Sequence, residues 1–358
     1  MTMKPQFSVP VVDISPYLRQ STVEERKSTA KAIDEACRSI GFFQIINHGI
    51  PADVEKGLID AVDSFFLQDM DIKMKVYSDT NRGYSPPNSE NTSLSLGLES
   101  TYGGNDYFEA FNIGSDQEMY QVSGLSELLY EPNTWPPTEG DRVPEGMKRF
   151  RVNLERWYEK AAYLSRILIR VFEDALEVPE GTLSQHTKHS MDVLRIINYA
   201  LPPGTPAIRE DEMGMGEHTD YGFLTVLWAD RVPGLQILGR DGIWHDLVPE
   251  EGALLVNLAD MMARITNEQW LSTLHRVKPP VVDGLIQRRR SVAFFHDGDE
   301  DAIISTLPKM IDEEHPPLYK PVRLGDHQLA KLRGSKSHVI NKQNTEREAA
   351  RVLASKRT

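Results

Sequence analysis

The sequence predicts an α+β fold in which helices flank a jelly-roll core, and three features carry that expectation. Apolar residues spaced three and four apart run from Phe150 through Leu154, Trp157, Ala161, Leu164 and Leu168 to Val171, the signature of one long helix with a single buried face. From Val193 the pattern changes to short apolar, β-branched and aromatic runs separated by turn residues. Two of these runs, Leu235 to Leu238 and Ile243 to Leu247, bracket Asp241-Gly242, a strong hairpin signal. Short strands joined by hairpins build a double sheet that can hold a site between its layers.

Taken in order, Val9 to Ile14 reads as a short edge strand, where Pro10 is tolerated. Thr22-x-x-Glu25 is a capping box opening a helix whose apolar face is Ile33, Ala36, Cys37 and Ile40 and which stops at Gly41. Cys37 is the only cysteine, so an intrachain disulfide and a thiolate metal site are excluded, and it reads as core packing. Phe42 to Ile46 is a strand by its composition, His48 a hydrogen-bonded turn residue, and Asp53 to Phe66 a helix. Residues 78–146, rich in Ser, Asn, Gly and Pro, are expected to be irregular and to carry part of a binding surface. Their aromatics Tyr84, Tyr102, Tyr107, Phe108 and Phe111 either line a pocket or anchor loops to the core.

Ala253 to Leu258 is a further apolar strand, and Asp283-Gly284 marks a turn before the run 289–295. A helix is expected after Asp326, and the polar stretch from Ser335 to Thr358 reads as an exposed or frayed helix. The organisation expected is a helical and loop region over 1–190, the jelly-roll core over 191–300 and a helical extension over 301–358, forming one unit.

Composition narrows the function. With 358 residues, 40% of them hydrophobic, the chain can bury a substantial core. Its formal charge of -13 argues against a nucleic-acid partner, because phosphate binding needs a basic face. No apolar run approaches a membrane span and Met1 to Val12 has no signal-peptide core, so a cytoplasmic location without a membrane partner is expected. Monomeric and homo-oligomeric states are both compatible with this composition.

The chemistry is concentrated in Gly216-Glu-His-Thr-Asp-Tyr-Gly-Phe-Leu-Thr-Val-Leu-Trp228. In an extended segment residues two apart point to the same side, so His218 and Asp220 offer an imidazole nitrogen and a carboxylate oxygen together. His275, in Leu274-His-Arg-Val277, supplies a second imidazole. Two histidines and one carboxylate on one face of a metal form the facial triad of non-haem iron(II) oxygenases, which leaves coordination positions open. Further on, Arg289-Arg290-Ser291 leads into Val292-Ala-Phe-Phe295, which puts the Arg289 guanidinium and the Ser291 hydroxyl on one strand face. HxD alone occurs often by chance; HxD, a distant His and RxS in that order, each beside a strand-like run, is far more restrictive.

These stretches, with Val9-Pro-Val-Val-Asp-Ile14, Gly41-Phe-Phe-Gln-Ile-Ile-Asn-His-Gly-Ile-Pro51, Asn81-Arg-Gly-Tyr84, Leu194-Arg-Ile-Ile-Asn-Tyr199 and Gly252 to Leu258 followed by Asp260, resemble the isopenicillin N synthase-like family of iron(II)/2-oxoglutarate-dependent oxygenases. The resemblance spans roughly the first three hundred residues. It implies a double-stranded β-helix with HxD and the distal His meeting at its mouth, and Fe(II), 2-oxoglutarate and O2 as cofactor and co-substrates. Arg289 and Ser291, with Tyr199, would hold the far carboxylate of 2-oxoglutarate. Of the three successive arginines only Arg289 has the i+2 spacing to Ser291, so Arg288 and Arg290 are expected to face elsewhere and to be replaceable.

The implied reaction hydroxylates or desaturates a small molecule, a specialised metabolite, through an iron(IV)-oxo intermediate. Asp220 speaks against halogenation, since related halogenases replace that carboxylate with a small residue. Two other readings compete: an oxidase like isopenicillin N synthase, which cyclises its substrate without 2-oxoglutarate, and a non-catalytic jelly-roll binding protein. A zinc hydrolase is disfavoured by the absence of HExxH. Tyr84, Phe108, Phe223 and Phe295 are the candidate substrate contacts, with Trp228 and Asp297 on the same wall. Among the remaining histidines His245 and His296 are the nearest rivals as ligands, with hydrogen-bonded roles preferred.

Overall fold

The structure, a computed structural model, describes residues 7–97, 106–140, 143–200, 213–282, 285–337, 340–341, 347 and 350. Fourteen strands build the core region: β1 (Val11–Asp13), β2 (Phe42–Ile46), β3 (Gly83–Ser85), β4 (Glu109–Gly114), β5 (Val193–Tyr199), β6 (Met215–His218), β7 (Leu224–Ala229), β8 (Leu235–Leu238), β9 (Trp244–Asp246), β10 (Leu254–Leu258), β11 (His275–Val277), β12 (Val281–Val282), β13 (Leu285–Ile286) and β14 (Arg289–His296). The large sheet runs β1-β2-β10-β7-β14-β5-β4-β3 and the small one β6-β11-β8-β9. β1 is parallel to β2; the other pairings of these two sheets are antiparallel. This is the expected α+β jelly roll, with segment 1–190 contributing four strands to the large sheet.

Period-two alternation decides which face of the large sheet does what. On β14, Val292 and Phe294 point outward into a core they share with Leu154, Trp157 and Leu168 of the helix Phe150–Ala175, while Arg289, Ser291, Ala293 and Phe295 line an internal cavity. On β5 the outward pair is Leu194 and Ile196, and the inward set is Val193, Arg195, Ile197 and Tyr199. β7 repeats the division, with Leu224 and Val226 outward and Thr225 and Leu227 inward. One face is thus held by helices and the other is released for chemistry.

The Thr22 capping box forms as read. Thr22 Oγ1 accepts from the Glu25 amide at 3.1 Å, Glu25 Oε2 accepts from the Thr22 amide at 2.8 Å, and the helix Val23–Ser39 follows. Gly41 has φ +75°, and a Cβ there would lie 2.1 Å from the Leu271 carbonyl oxygen, so both backbone and space demand glycine. β12 and β13 pair as a hairpin; the Asp283-Gly284 turn itself falls outside the described residues, as does Tyr102.

One expectation is corrected at the C-terminal end. The helix Leu324–Ser337 does not fray from Ser335: that residue is buried, and Gly334 packs so tightly on the Leu94-Ser95 backbone that a Cβ would lie 2.7 Å from Ser95 Cα. Shape fit on a neighbouring loop, invisible to polarity counting, holds this turn in place.

Candidate active site

His218 closes β6 and His275 opens β11, and the two are direct partners in the antiparallel ladder between these strands. Their ring centroids are 4.2 Å apart. Asp220 Oδ1 lies 3.8 Å from His218 Nε2 and 3.7 Å from His275 Nε2. Backbone carbonyls fix the rings: His218 Nδ1 sits 2.9 Å from Gly216 O and His275 Nδ1 3.1 Å from Thr273 O. Each Nδ1 therefore carries the donated proton, which leaves each Nε2 as a lone-pair ligand aimed at the carboxylate. Asp220 is divided the same way. Its Oδ2 accepts from Thr225 Oγ1 and, at 2.7 Å, from Asn257 Nδ2, and Oδ1 accepts no hydrogen bond from the other described residues. Burial, with His275 alongside, pushes the His218 pKa down to about 3, so the ring is neutral at pH 7 as metal ligation requires.

Arg289 is buried to 2% exposure and forms no ion pair with any described residue. Its Nη1 donates to Ser291 Oγ at 3.4 Å, its Cζ stacks 5.1 Å over the Tyr199 ring, and its Nε finds no acceptor among the described residues. A buried guanidinium without a counter-ion is costly unless an anion joins it, so the site fits a carboxylate-bearing co-substrate on its donor chemistry alone. Tyr199 faces Arg289 across the β5–β14 ladder.

Two family models match the chain: the non-haem dioxygenase in morphine synthesis N-terminal family over residues 9–138 and the 2OG-Fe(II) oxygenase superfamily over 191–298. The chain is 30% identical over 323 residues to the 2-oxoglutarate-Fe(II) type oxidoreductase hxnY of Emericella nidulans, covering 88% of this chain and 87% of that one. The chain belongs to the 2-oxoglutarate-Fe(II) oxygenase superfamily. It is 28% identical over 340 residues to clavatol oxidase claD of Penicillium crustosum, covering 92% and 97% of the two chains. Its fold resembles that of a full-length Neurospora crassa protein solved in complex with alpha-KG, with a TM-score of 0.76, 25% identity, and coverage of 90% of this chain and 95% of that one. It is a non-haem iron(II), 2-oxoglutarate-dependent dioxygenase that uses O2, and these findings support neither the oxidase nor the non-catalytic reading.

In this oxygenase the remaining candidates fall in different places. Phe295 lines the cavity. Tyr84, Phe108 and Phe223 do not. Tyr84 is fully buried, with its hydroxyl donating to Glu109 Oε2 at 2.6 Å; Phe108 packs in a second core cluster under the Arg195 guanidinium; Phe223 is fully buried in the main core. Aromatic rings satisfy a core as readily as a pocket, and here the core claimed three of the four. Trp228 also faces away, its Nε1 donating to Glu55 Oε1 at 2.9 Å, whereas Asp297 does reach the cavity. His245 pairs with Asp241 and stacks on Phe7, His296 Nδ1 lies 2.9 Å from Asp192 Oδ1, and His48 Nδ1 accepts from the Ile50 amide at 3.2 Å.

Arg288 and Arg290 do face the other way, but they are engaged. Arg288 Nη1 and Arg290 Nη1 lie 2.7 and 2.8 Å from the Asp63 carboxylate, and Arg290 Nε lies 3.2 Å from Asp230 Oδ2. They bolt the sheet to the helix Ala52–Phe66. Sequence reasoning missed Thr225 and Asn257, although a polar residue at each of two inward strand positions was a legible cue. It also missed the cluster of Glu90, Arg195 and Lys336 on the cavity wall, whose members lie in three distant segments.

Proposed function

We propose that this oxygenase hydroxylates or desaturates a small molecule of specialised metabolism, with His218, Asp220 and His275 holding the iron and Arg289, Ser291 and Tyr199 holding the far carboxylate of 2-oxoglutarate. The observation that carries the reading is one cavity lined both by three convergent metal donors, all within 4.8 Å of one another, and by a buried guanidinium without a counter-ion. Names such as clavatol oxidase among the relatives support the metabolic setting. When bound, ferrous iron and 2-oxoglutarate together supply the power to activate O2 for attack on an unactivated C–H bond.

The chain's own residues set the stage for that chemistry. Gly216 O and Thr273 O keep both imidazoles in the ligating tautomer, and Thr225 with Asn257 fixes the carboxylate rotamer. Arg289 and Ser291 orient the co-substrate by a charge-assisted pair, so that its 2-oxo acid end is presented to the donors. Inward apolar residues Ile197, Leu235, Val277 and Phe295 keep bulk water from the reacting carbon. No described helix is long and apolar enough to cross a membrane. A cytoplasmic location is part of the same proposal, and the acidic charge supports the absence of a nucleic-acid partner.

Adding 2-oxoglutarate to the anaerobic ferrous protein should produce a visible metal-to-ligand charge-transfer band, and admitting O2 should then yield succinate. Bound iron that gives no band, or succinate formation unchanged in Asp220→Ala, would overturn the proposal.

A further inference from the structure

At the end of the cavity away from Arg289 stands a second basic group. Arg195, four residues before Tyr199 on the same inward face of β5, lies opposite Ala293 of β14, roughly 13 Å along the strand from the Tyr199–Arg289 pair. It is 9% exposed. Its Nη2 donates to Glu90 Oε2 at 2.8 Å, its Cζ lies 4.9 Å over the Phe108 ring, and its buried Nε has no acceptor among the described residues. Lys336, from the C-terminal helix, lies 3.2 Å from Glu90 Oε1 and donates to Thr80 O and Ser85 Oγ. Lys336 therefore adds charge with its hydrogens committed, and Arg195 offers the open donor.

Two cations, Arg195 and Lys336, share the single Glu90 carboxylate on this stretch of cavity wall. Glu90 is held ionised by Arg195 and Lys336 against its burial, with its pKa lowered to about 2. Asp297, which also lines the cavity, is pushed up by burial and by Asp192 and Asp220, and its Oδ2 accepts from Gln328 Nε2 at 2.9 Å. Phe295 and Leu332 supply apolar wall nearby. We infer that the substrate is a small organic acid whose carboxylate binds Arg195 at its unpartnered Nε while its hydrocarbon part lies along Phe295 toward His218, Asp220 and His275. This rests on the catalytic reading above, and it divides the cavity into two anion sites, Arg289 for the co-substrate and Arg195 for the substrate.

The test uses anaerobic ferrous protein saturated with 2-oxoglutarate, titrated calorimetrically with benzoate, phenylacetate and cinnamate and with their methyl esters. At least one acid is expected to bind roughly tenfold or more tightly than its ester, the scale of one charge-assisted contact. Arg195→Met should erase that preference and leave the 2-oxoglutarate charge-transfer band intact. Glu90→Gln, which removes the neutralising carboxylate, should raise acid affinity. A purely structural salt bridge would not move in opposite directions on loss of its two partners. Equal binding of acid and ester, no binding of any acid, or weaker acid binding in Glu90→Gln overturns the inference. A missing charge-transfer band before any acid is added counts instead against the co-substrate reading, because calorimetry reports acid binding without it.

Discussion

Asn257 donates from β10 to Asp220 Oδ2 at 2.7 Å and so leaves Oδ1 as the oxygen that faces both histidines. A residue with no place among the metal donors thereby decides which atom of the carboxylate is available. Asn257→Ala, or Thr225→Val on the other donor, should lower iron affinity about 10- to 100-fold, the usual scale for partners of metal ligands. Anaerobic titration with Fe(II), read by the charge-transfer band at saturating 2-oxoglutarate, measures it. An affinity indistinguishable from wild type would show that Asp220 needs no such orientation.

Arg289→Ala should raise the KM for 2-oxoglutarate about 10- to 100-fold, as expected for a lost charge-assisted pair, while iron still binds. Arg289→Lys should recover only part of this, because an ammonium cannot form the planar fork. Steady-state succinate formation as a function of 2-oxoglutarate concentration separates the effects.

Arg290 presents the opposite behaviour. It is clamped to Asp63 and Asp230 on the helix-covered face, so Arg290→Ala should leave the KM for 2-oxoglutarate unchanged and cost about 1–2 kcal/mol of stability, between the values for exposed and buried ion pairs. Urea denaturation beside the kinetic assay checks both halves.

Lys331 is fully buried on the C-terminal helix, 2.9 Å from Asp260 Oδ2 and donating to Thr219 Oγ1 at 3.1 Å. Asp260 also meets His327 Nε2 at 3.1 Å, and its amide donates to the Asp220 carbonyl at 3.0 Å. Removing the ammonium leaves the buried Asp260 carboxylate without its cation, so Lys331→Met should cost about 3–5 kcal/mol. Because the same contacts seat the turn 218–220, iron affinity should fall with it; a stability loss with unchanged iron binding would uncouple the helix from the turn.

Glu90 gives the pH dependence a defined sign. Its folded-state pKa of about 2 lies below the usual 4.5, because Arg195 and Lys336 overcome the opposing effect of burial. The unfolded chain therefore takes up a proton first as pH falls, and the stability contributed by Glu90 is full above about pH 5 and disappears toward pH 2. The contribution is on the order of 3 kcal/mol. Denaturation of wild type and Glu90→Gln at several pH values should show their difference shrinking over that window; a difference independent of pH would refute it.

How much of this was readable in advance depended on whether the signal was local. The Thr22 capping box and the alternation on β14 are set by neighbours along the chain, and the structure places them as read; His218 and Asp220 lie together with His275, although Asp220 follows the end of β6 rather than extending it. The packing of Tyr84, Phe108 and Phe223 is settled by residues far away in sequence, and aromatic content alone does not say which layer a ring enters. Glu90, Arg195 and Lys336 meet only after three segments have folded together, and Ser335 is buried by shape rather than polarity. Apolar period reports faces; it is silent about which polar groups will meet.

The three consecutive arginines of 288–290 alternate in direction where the chain enters β14, the middle one turned to the cavity and the outer two to Asp63. Sliding β14 by a single position would thrust two guanidinium groups into the interior and leave the helix carboxylate bare. Misalignment therefore penalises itself electrostatically as well as sterically, and the arginine proposed to hold 2-oxoglutarate doubles as a proofreading signal that this strand has found its proper alignment.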